Sequence, residues 1–288
     1  MMRAKDYRSY IEQYLRDWYV RFHDEPQKQL FEAMEYSLLA GGKRLRPIFA
    51  FDFCRMCGGD WQAAAPFAAA IEMIHTYSLI HDDLPCMDND DFRRGRPTNH
   101  KVFGEAMAVL AGDALLTDAF TVASTAQLPN PKDMGFAIGV LSECAGSLGM
   151  VGGQVLDIMS EERLLSEQEV LDIQSRKTGG LINAACALGV IAGGGTEEQL
   201  EAACRFAGAL GLAFQIRDDM LDVIGTKEEM GKGVGTDEGK NTFVRLYGLD
   251  KCEELVKKYT AVAIDALEAF EDTAFMKELA LSLTERRN

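Results

Sequence analysis

Two runs of aspartate carry the chemistry this chain can do: Asp82-Asp83-Leu84-Pro85-Cys86-Met87-Asp88 and Asp218-Asp219-Met220-Leu221-Asp222. Each adjoins an apolar stretch, Ile71 to Ile80 for the first and Leu210 to Ile224 for the second. Carboxylates this close repel one another and resist burial unless a cation compensates them. Arg93, Arg94 and Arg96 follow the first run, and Lys232 follows the second. Carboxylates beside Arg and Lys point to a site where Mg²⁺ bridges aspartate to phosphate and the basic side chains take the remaining oxygens. Two such sites facing each other would bind a diphosphate.

The spacing refines this. Asp218 and Asp222 are four apart, so a helix puts them on one face, and Asp219 turns about 100° away. Asp82 and Asp88 are six apart, which a straight helix would splay. Pro85 removes a backbone donor and distorts a helix at that point. Taking out two residues restores the four-residue spacing, so the first run is expected to be the same motif with a two-residue bulge. A single aspartate pair would read as a helix cap or a solvated helix end. Two copies, each with apolar helix and basic neighbours, argue against that. Asn89, Asp90 and Asp91 read as solvated or capping residues.

The elements that must position these groups read as helices almost throughout, with no sustained period-two alternation. Leu30, Met34, Leu38 and Leu39 form a stripe that stops at Gly41-Gly42, and Pro47 suits the start of the next helix. Helices are expected over 61–81, running into the first aspartates, over 105–127, ended by Pro129-Asn130-Pro131, and over 133–159. Ser166 with Glu169 forms a capping box for a helix to about Arg176. A helix over 178–192 is stopped by Gly193-Gly194-Gly195. Thr196 with Gln199 opens the long helix that carries Asp218 to Asp222. Residues 225–241 form the best loop, and 250–269 and 273–286 close the chain as amphipathic helices. The expected fold is all-α, one domain over residues 1–288, its long helices surrounding a cleft.

Composition sets limits. The 288 residues are 47% hydrophobic and 26% charged, with a net charge of −15. That charge argues against nucleic acid or an anionic membrane as partner. An acidic chain that binds an anion must gather its cations locally, as Lys43, Arg44 and Arg46 do in one run and Arg93, Arg94 and Arg96 in another. The seven cysteines are scattered, and Cys54 and Cys57 form a lone CxxC, so they read as reduced thiols in a cytoplasmic protein. Met1 to Arg16 is polar and does not resemble a signal peptide. No uninterrupted apolar run reaches ~20 residues, so no membrane insertion is expected.

Three segments resemble the trans-prenyltransferase family. Ile74 to Asp88 with Asp91-Phe92-Arg93-Arg94-Gly95-Arg96-Pro97-Thr98-Asn99-His100 resembles its first aspartate-rich motif. Phe214-Gln215-Ile216-Arg217-Asp218-Asp219-Met220-Leu221-Asp222 resembles the second. Gly41-Gly42-Lys43-Arg44-Leu45-Arg46-Pro47 resembles its N-terminal basic signature. The likeness covers nearly the whole chain and is greatest to farnesyl diphosphate synthases of bacterial type. It departs at Phe92, where Leu is usual, at Gly233, where Pro is common, and in a shorter segment before Lys240.

The resemblance implies a homodimer that joins isopentenyl diphosphate to an allylic diphosphate with three Mg²⁺ ions. Asp82, Asp88 and Asp218 would hold the metals, with Asp83 and Asp222 as near neighbours. Arg93, Lys177, Lys232 and Lys240 would contact the allylic diphosphate. Gly42, Lys43, Arg46, His75 and Arg94 would receive isopentenyl diphosphate. Thr178 and Gln215 would line the reacting carbons, and Phe214 would help keep water from the carbocation. The metals and lysines neutralise the leaving diphosphate, so no protein general base is needed.

The allylic tail should run down the helix away from Asp82, about one isoprene unit per ~5.4 Å turn. Ser78 and Tyr77, four and five residues earlier, would floor its pocket, and the bulk of Tyr77 favours a fifteen-carbon farnesyl product. The alternatives are a geranylgeranyl diphosphate synthase, a terpene cyclase and an inactive regulatory subunit. The two intact aspartate runs and the Lys43/Arg46 site count against the last two.

Overall fold

The computed structural model describes residues 2–160, 163–224 and 242–286. They form two compact units, Met1–Ile138 with Ile191–Gly194, and Gly139–Val190 with Gly195–Asn288. Both are helical, and the only strands among the described residues are two of two residues each. The all-α expectation holds.

The first unit contains α1 (Met2–Val20), α2 (Lys28–Leu38), α3 (Leu45–Met56), α4 (Ala65–Asp82), α5 (Asn99–Phe103) and α6 (Glu105–Ala123). Helix α4 is apolar on nearly every side, the mark of a helix surrounded by others. It buries Phe67, Ile71, Met73, Ile74, Tyr77 and Ile80, and α1, α2, α3 and α6 pack on it. At Gly112 of α6 an added Cβ would sit 2.1 Å from His81 Nε2. Glycine therefore lets α6 approach the end of α4, where His81 Nε2 lies 3.1 Å from the Val109 carbonyl.

Strands β1 (Phe92–Arg93) and β2 (Arg96–Pro97) form an antiparallel hairpin just past the first aspartates. Its two turn residues, Arg94 (φ 52°) and Gly95 (φ 73°), are both left-handed, the geometry that matches strand twist in a two-residue turn.

Helix α7 (Met134–Ala145) crosses from the first unit to the second. The second unit goes on with α8 (Met150–Ile158), α9 (Glu167–Lys177), α10 (Gly179–Ala192), α11 (Glu197–Ile224), α12 (Phe243–Ala266) and α13 (Ala274–Thr284). Helix α11 is its axis, with α9, α12 and α13 against it. Ile173, Ile216, Met220, Phe243 and Val256 meet in its core, each such burial contributing about 2 kcal/mol. Both expected capping boxes form. Glu169 N–H donates to Ser166 Oγ, with the Glu169 carboxylate returning to Ser166 N–H, and Gln199 N–H donates to Thr196 Oγ1.

Several boundaries move. The helix expected over 133–159 is broken between Ala145 and Met150. Gly149 has non-helical angles, and a Cβ there would lie 2.0 Å from the Cys144 carbonyl. The helix from Glu105 stops at Ala123, before its proline signal. The helix expected from Asp250 begins at Phe243, because Thr242 Oγ1 caps it by accepting from Arg245 N–H. It kinks at Gly248 (φ 73°).

The expectation of no membrane insertion rests on uninterrupted apolar runs, and an averaged window sees more. The segments 61–82, 105–123 and 131–158 are long and apolar enough to cross a bilayer by length and composition. Uninterrupted runs miss them because an average tolerates isolated polar residues such as Glu72. The protein's own fold buries 72% of the apolar window in 61–82, but only 39% and 28% in the other two.

Candidate active site

Helix α4 ends at Asp82 rather than continuing through a bulge. Pro85 lacks the N–H that would bond the His81 carbonyl, and its ring would clash there. The chain instead folds into a tight loop: Met87 N–H donates to Leu84 C=O (2.9 Å), and left-handed Asn89 does the same (3.1 Å). Asp88 N–H donates to the Asp82 carbonyl at 2.8 Å. The six-residue spacing is thus closed by a loop, and the backbones of Asp82 and Asp88 are neighbours.

Asp83 turns inward and is 3% exposed. Arg93 Nε (2.7 Å) and Nη2 (2.6 Å) both reach its Oδ1. Burial pushes the Asp83 carboxyl up and the Arg93 guanidinium opposes this. Asp83 and Arg93, expected beside the metal and the diphosphate, are therefore bonded to each other, and the pair anchors the hairpin to the end of α4. Asp90 and Asp91 are exposed, as expected.

The hairpin turn presents Arg94, which donates to the Gly41 carbonyl. Gly42 has a φ of 132°, where a side chain is strained, and a Cβ there would press on the Arg94 guanidinium at 3.2 Å. Burial depresses the His75 pKa well below the ordinary histidine value, and the nearby charges of Arg46, Arg94, Arg44 and Arg93 depress it further. Arg46 Nε is buried with no hydrogen-bond partner. Gly42, Arg46, His75 and Arg94 are thus gathered in one cationic nest with an orphaned donor, the signature of a site made for an anion. Lys43 is exposed at its edge.

Arg44 does not belong to that nest. It is buried in a left-handed conformation, donates to Glu72 (2.6 Å) and to the Leu38 carbonyl (2.7 Å), and lies 3.7 Å from Glu12. It is the internal strut of the turn, a role its place in a basic run concealed.

Tyr77 is 6% exposed and sets its ring edge-on to His81, centroids 5.6 Å apart. Burial and the charge of Asp82 push its hydroxyl up to about 12. Ser78 Oγ donates to the His75 carbonyl at 3.0 Å.

In the second unit, Asp218 and Asp222 lie one turn apart on α11, both partly exposed. Asp219 is buried. It accepts from Gln215 Nε2 (2.9 Å) and from Phe243 N–H (2.8 Å), so it caps α12. Gln215 Oε1 in turn accepts from Thr178 Oγ1 at 3.3 Å. This chain fixes the face that the Gln215 amide and the Thr178 hydroxyl present.

Lys177 Nζ is paired with Asp157 Oδ2 at 2.5 Å. Gly153 allows this contact, since a Cβ there would sit 2.3 Å from Lys177 N. Asp157 was missed from sequence, although Gly152-Gly153 was its signal. Arg286 was missed as well. It pairs with Asp218 and stacks 4.4 Å over the Phe214 ring. Lys232 and Lys240 lie outside the described residues.

The donor sets fit Mg²⁺. This hard ion keeps several waters and takes one or two carboxylates plus phosphate oxygens. Asp82 with Asp88, and Asp218 with Asp222, supply such pairs. Among the described residues no group of three or more His, Cys, Asp or Glu could hold a metal ion. All seven cysteines are free; Cys54 and Cys57 do not bridge, and Cys54 Sγ donates to the Asp60 carbonyl at 3.3 Å.

A helical protein with two aspartate sets and a separate cationic nest defines a class that handles diphosphates with divalent metal. The family model described as "Polyprenyl synthetase" matches residues 27–280, and the chain belongs to that family of trans-prenyltransferases. The heterodimeric geranylgeranyl pyrophosphate synthase large subunit 1, chloroplastic, of Arabidopsis thaliana is 47% identical over 266 residues, 90% of this chain and 71% of that protein. An FPP/GFPP synthase from Zymomonas mobilis superposes with a TM-score of 0.86 at 35% identity, covering 96% of this chain and 95% of that one. A geranylgeranyl pyrophosphate synthetase from Pyrococcus horikoshii gives 0.88 at 31%, covering 99% and 98%. Family members are Mg²⁺-dependent and use an allylic diphosphate with isopentenyl diphosphate.

Proposed function

We propose that this chain extends an allylic diphosphate with isopentenyl diphosphate to geranylgeranyl diphosphate, as one catalytic domain over residues 1–288. The observation that carries the chemistry is the Gly42–Arg46–His75–Arg94 nest. It holds cations and an orphaned donor, and the nearby Glu72 carboxylate is tied to Arg44, which suits the diphosphate of isopentenyl diphosphate. Asp82, Asp88, Asp218 and Asp222 are the proposed ligands of Mg²⁺, three ions by family likeness, which neutralises the leaving diphosphate when bound. Asp83, Arg93 and Asp219 act by position, holding the loops that carry those ligands. Thr178 and Gln215, locked to one another, line the reacting carbons, and Phe214 shields them from water. Lys177, Lys232 and Lys240 are the proposed further contacts of the allylic diphosphate, with Lys177 exchanging Asp157 for it. The proton lost after condensation goes to the released diphosphate.

The twenty-carbon product is supported by the relatives' names. Plant proteins 46–49% identical to this chain are called geranylgeranyl pyrophosphate synthases. A farnesyl product is the second reading, favoured by buried Tyr77 five residues before Asp82. The test is incubation with isopentenyl and dimethylallyl diphosphates and Mg²⁺, followed by chromatography of the dephosphorylated alcohols. Geranylgeraniol supports the first reading and farnesol the second; no alcohol from folded protein overturns both.

The same reading makes the chain a cytoplasmic homodimer. A second copy is the proposed cover for Val109 and Leu110 of α6 and Phe136 of α7, large apolar side chains left exposed on the first unit. The Arabidopsis relative is itself named as the subunit of a heterodimer. Light scattering of Leu110→Glu against the unaltered protein tests it: a monomer in the variant alone is expected, and a monomer in both overturns it.

A further inference from the structure

Helix α13 ends at Thr284, and Glu285 N–H donates back to the Leu281 carbonyl at 2.8 Å. Arg217 of α11 clamps this end, its Nε donating to the Thr284 carbonyl at 2.6 Å while its Nη2 pairs with Glu253 at 2.9 Å. Two residues further on, Arg286 lies over α11. Its Nη2 donates to Asp218 Oδ1, and its guanidinium stacks on Phe214 one turn earlier. The Arg286 side chain is mostly buried, and its Nε has no hydrogen-bond partner. Two contacts, the Asp218 pair and the Phe214 stack, thus place one cation on the aspartate that the reading above assigns to Mg²⁺.

We propose that Arg286 is the placeholder cation of Asp218. It compensates and orients this carboxylate while metal is absent, and it must leave Oδ1 when a divalent ion takes that oxygen. The argument rests on Asp218 being a metal ligand. Two cations on one carboxylate oxygen repel each other, so metal binding and the Arg286 pair compete. Arg286 therefore weakens the first metal at Asp218 and keeps the second aspartate set ordered without it. The Phe214 stack gives the displaced guanidinium somewhere to stay, a role that an ammonium group would fill poorly.

The test is Mn²⁺ alone, titrated into the full chain and followed by electron paramagnetic resonance, with thermal unfolding of the metal-free protein alongside. Arg286→Gln is expected to bind Mn²⁺ about fivefold more tightly and to unfold at a lower temperature. Both shifts should vanish in an Asp218→Asn background. Lys257→Gln removes a positive charge lining the same groove between α11, α12 and α13 and should change affinity by less than about twofold. Unchanged Mn²⁺ affinity in Arg286→Gln, with Asp218→Asn weakened, overturns the placeholder alone. Equal tightening by Lys257→Gln also overturns it, since bulk charge would then suffice. Undiminished Mn²⁺ binding by Asp218→Asn overturns the metal reading of that residue and the placeholder with it.

Discussion

Arg93 grips a single oxygen of Asp83 with two nitrogens, at 2.7 and 2.6 Å, and so ties the end of α4 to the hairpin that follows it. Asp83 is thus held by a protein cation, whereas its neighbour Asp82 is a proposed metal ligand. Asp83→Asn should lower stability by about 2 kcal/mol, the scale of a buried charge-assisted hydrogen bond. Asp82→Asn should cost less metal-free stability than Asp83→Asn and abolish Mg²⁺-dependent turnover. Thermal unfolding without metal, beside turnover, checks both; equal stability losses would mean the duties are not divided.

The second set divides in the same way. Asp219→Asn loses the charged acceptor for the Phe243 amide and should cost about 2 kcal/mol. Asp222→Asn should cost less stability than Asp219→Asn and weaken Mn²⁺ binding. Urea unfolding and a metal titration on the two variants would separate them.

His75 gives the protein a pH dependence. Its folded pKa is depressed by burial and by the arginines around it, so the unfolded chain takes the proton first as pH falls. The stability it contributes is complete above about pH 6.5 and is lost as pH drops below that value, by up to about 1.4 kcal/mol per unit. His75→Gln should flatten the loss between pH 7 and pH 5 in urea unfolding. Identical slopes in both proteins would remove His75 as the cause.

Tyr77 is a stop only if the growing tail meets it. Tyr77→Ala should lengthen the product by at least one isoprene unit, read by chromatography of the alcohols. An unchanged product with a loss of about 3 kcal/mol in stability would mark Tyr77 as core and nothing more.

Cys86 sits exposed inside the first aspartate loop. Burial pushes the thiols of Cys54 and Cys57 up to about 12 and that of Cys144 to about 11, which slows their reaction. A disulfide reagent should therefore modify Cys86 first. The fast phase should vanish in Cys86→Ser and slow with Mg²⁺ and inorganic diphosphate. A fast phase that survives Cys86→Ser would place the reactive thiol elsewhere.

The pairing of the aspartates was legible in the sequence because their spacing is local. Asp218 and Asp222 share a helix face by periodicity alone, and the two capping boxes were read from two residues each. What stayed hidden was pairing across distance. Nothing near Arg44 announces Glu72, nothing near Lys177 announces Asp157, and a run of three basic residues looks uniform until one turns inward. Pro85 was read correctly as a disruption, but whether a proline bends a helix or ends it depends on where the next backbone donors go. Here Asp88 N–H goes to Asp82, and the helix ends. The break at Gly149 was missed because a glycine in a helical pattern is silent until the packing around it is known.

The Asp219–Phe243 hydrogen bond gives this protein a reporter of its own. One backbone amide, at the first residue of α12, is bound to the residue between two proposed metal ligands. Its chemical shift and its rate of exchange with deuterium should register events at the second aspartate set with no label added to the site. A single ¹⁵N resonance could then follow metal arrival there, independently of turnover.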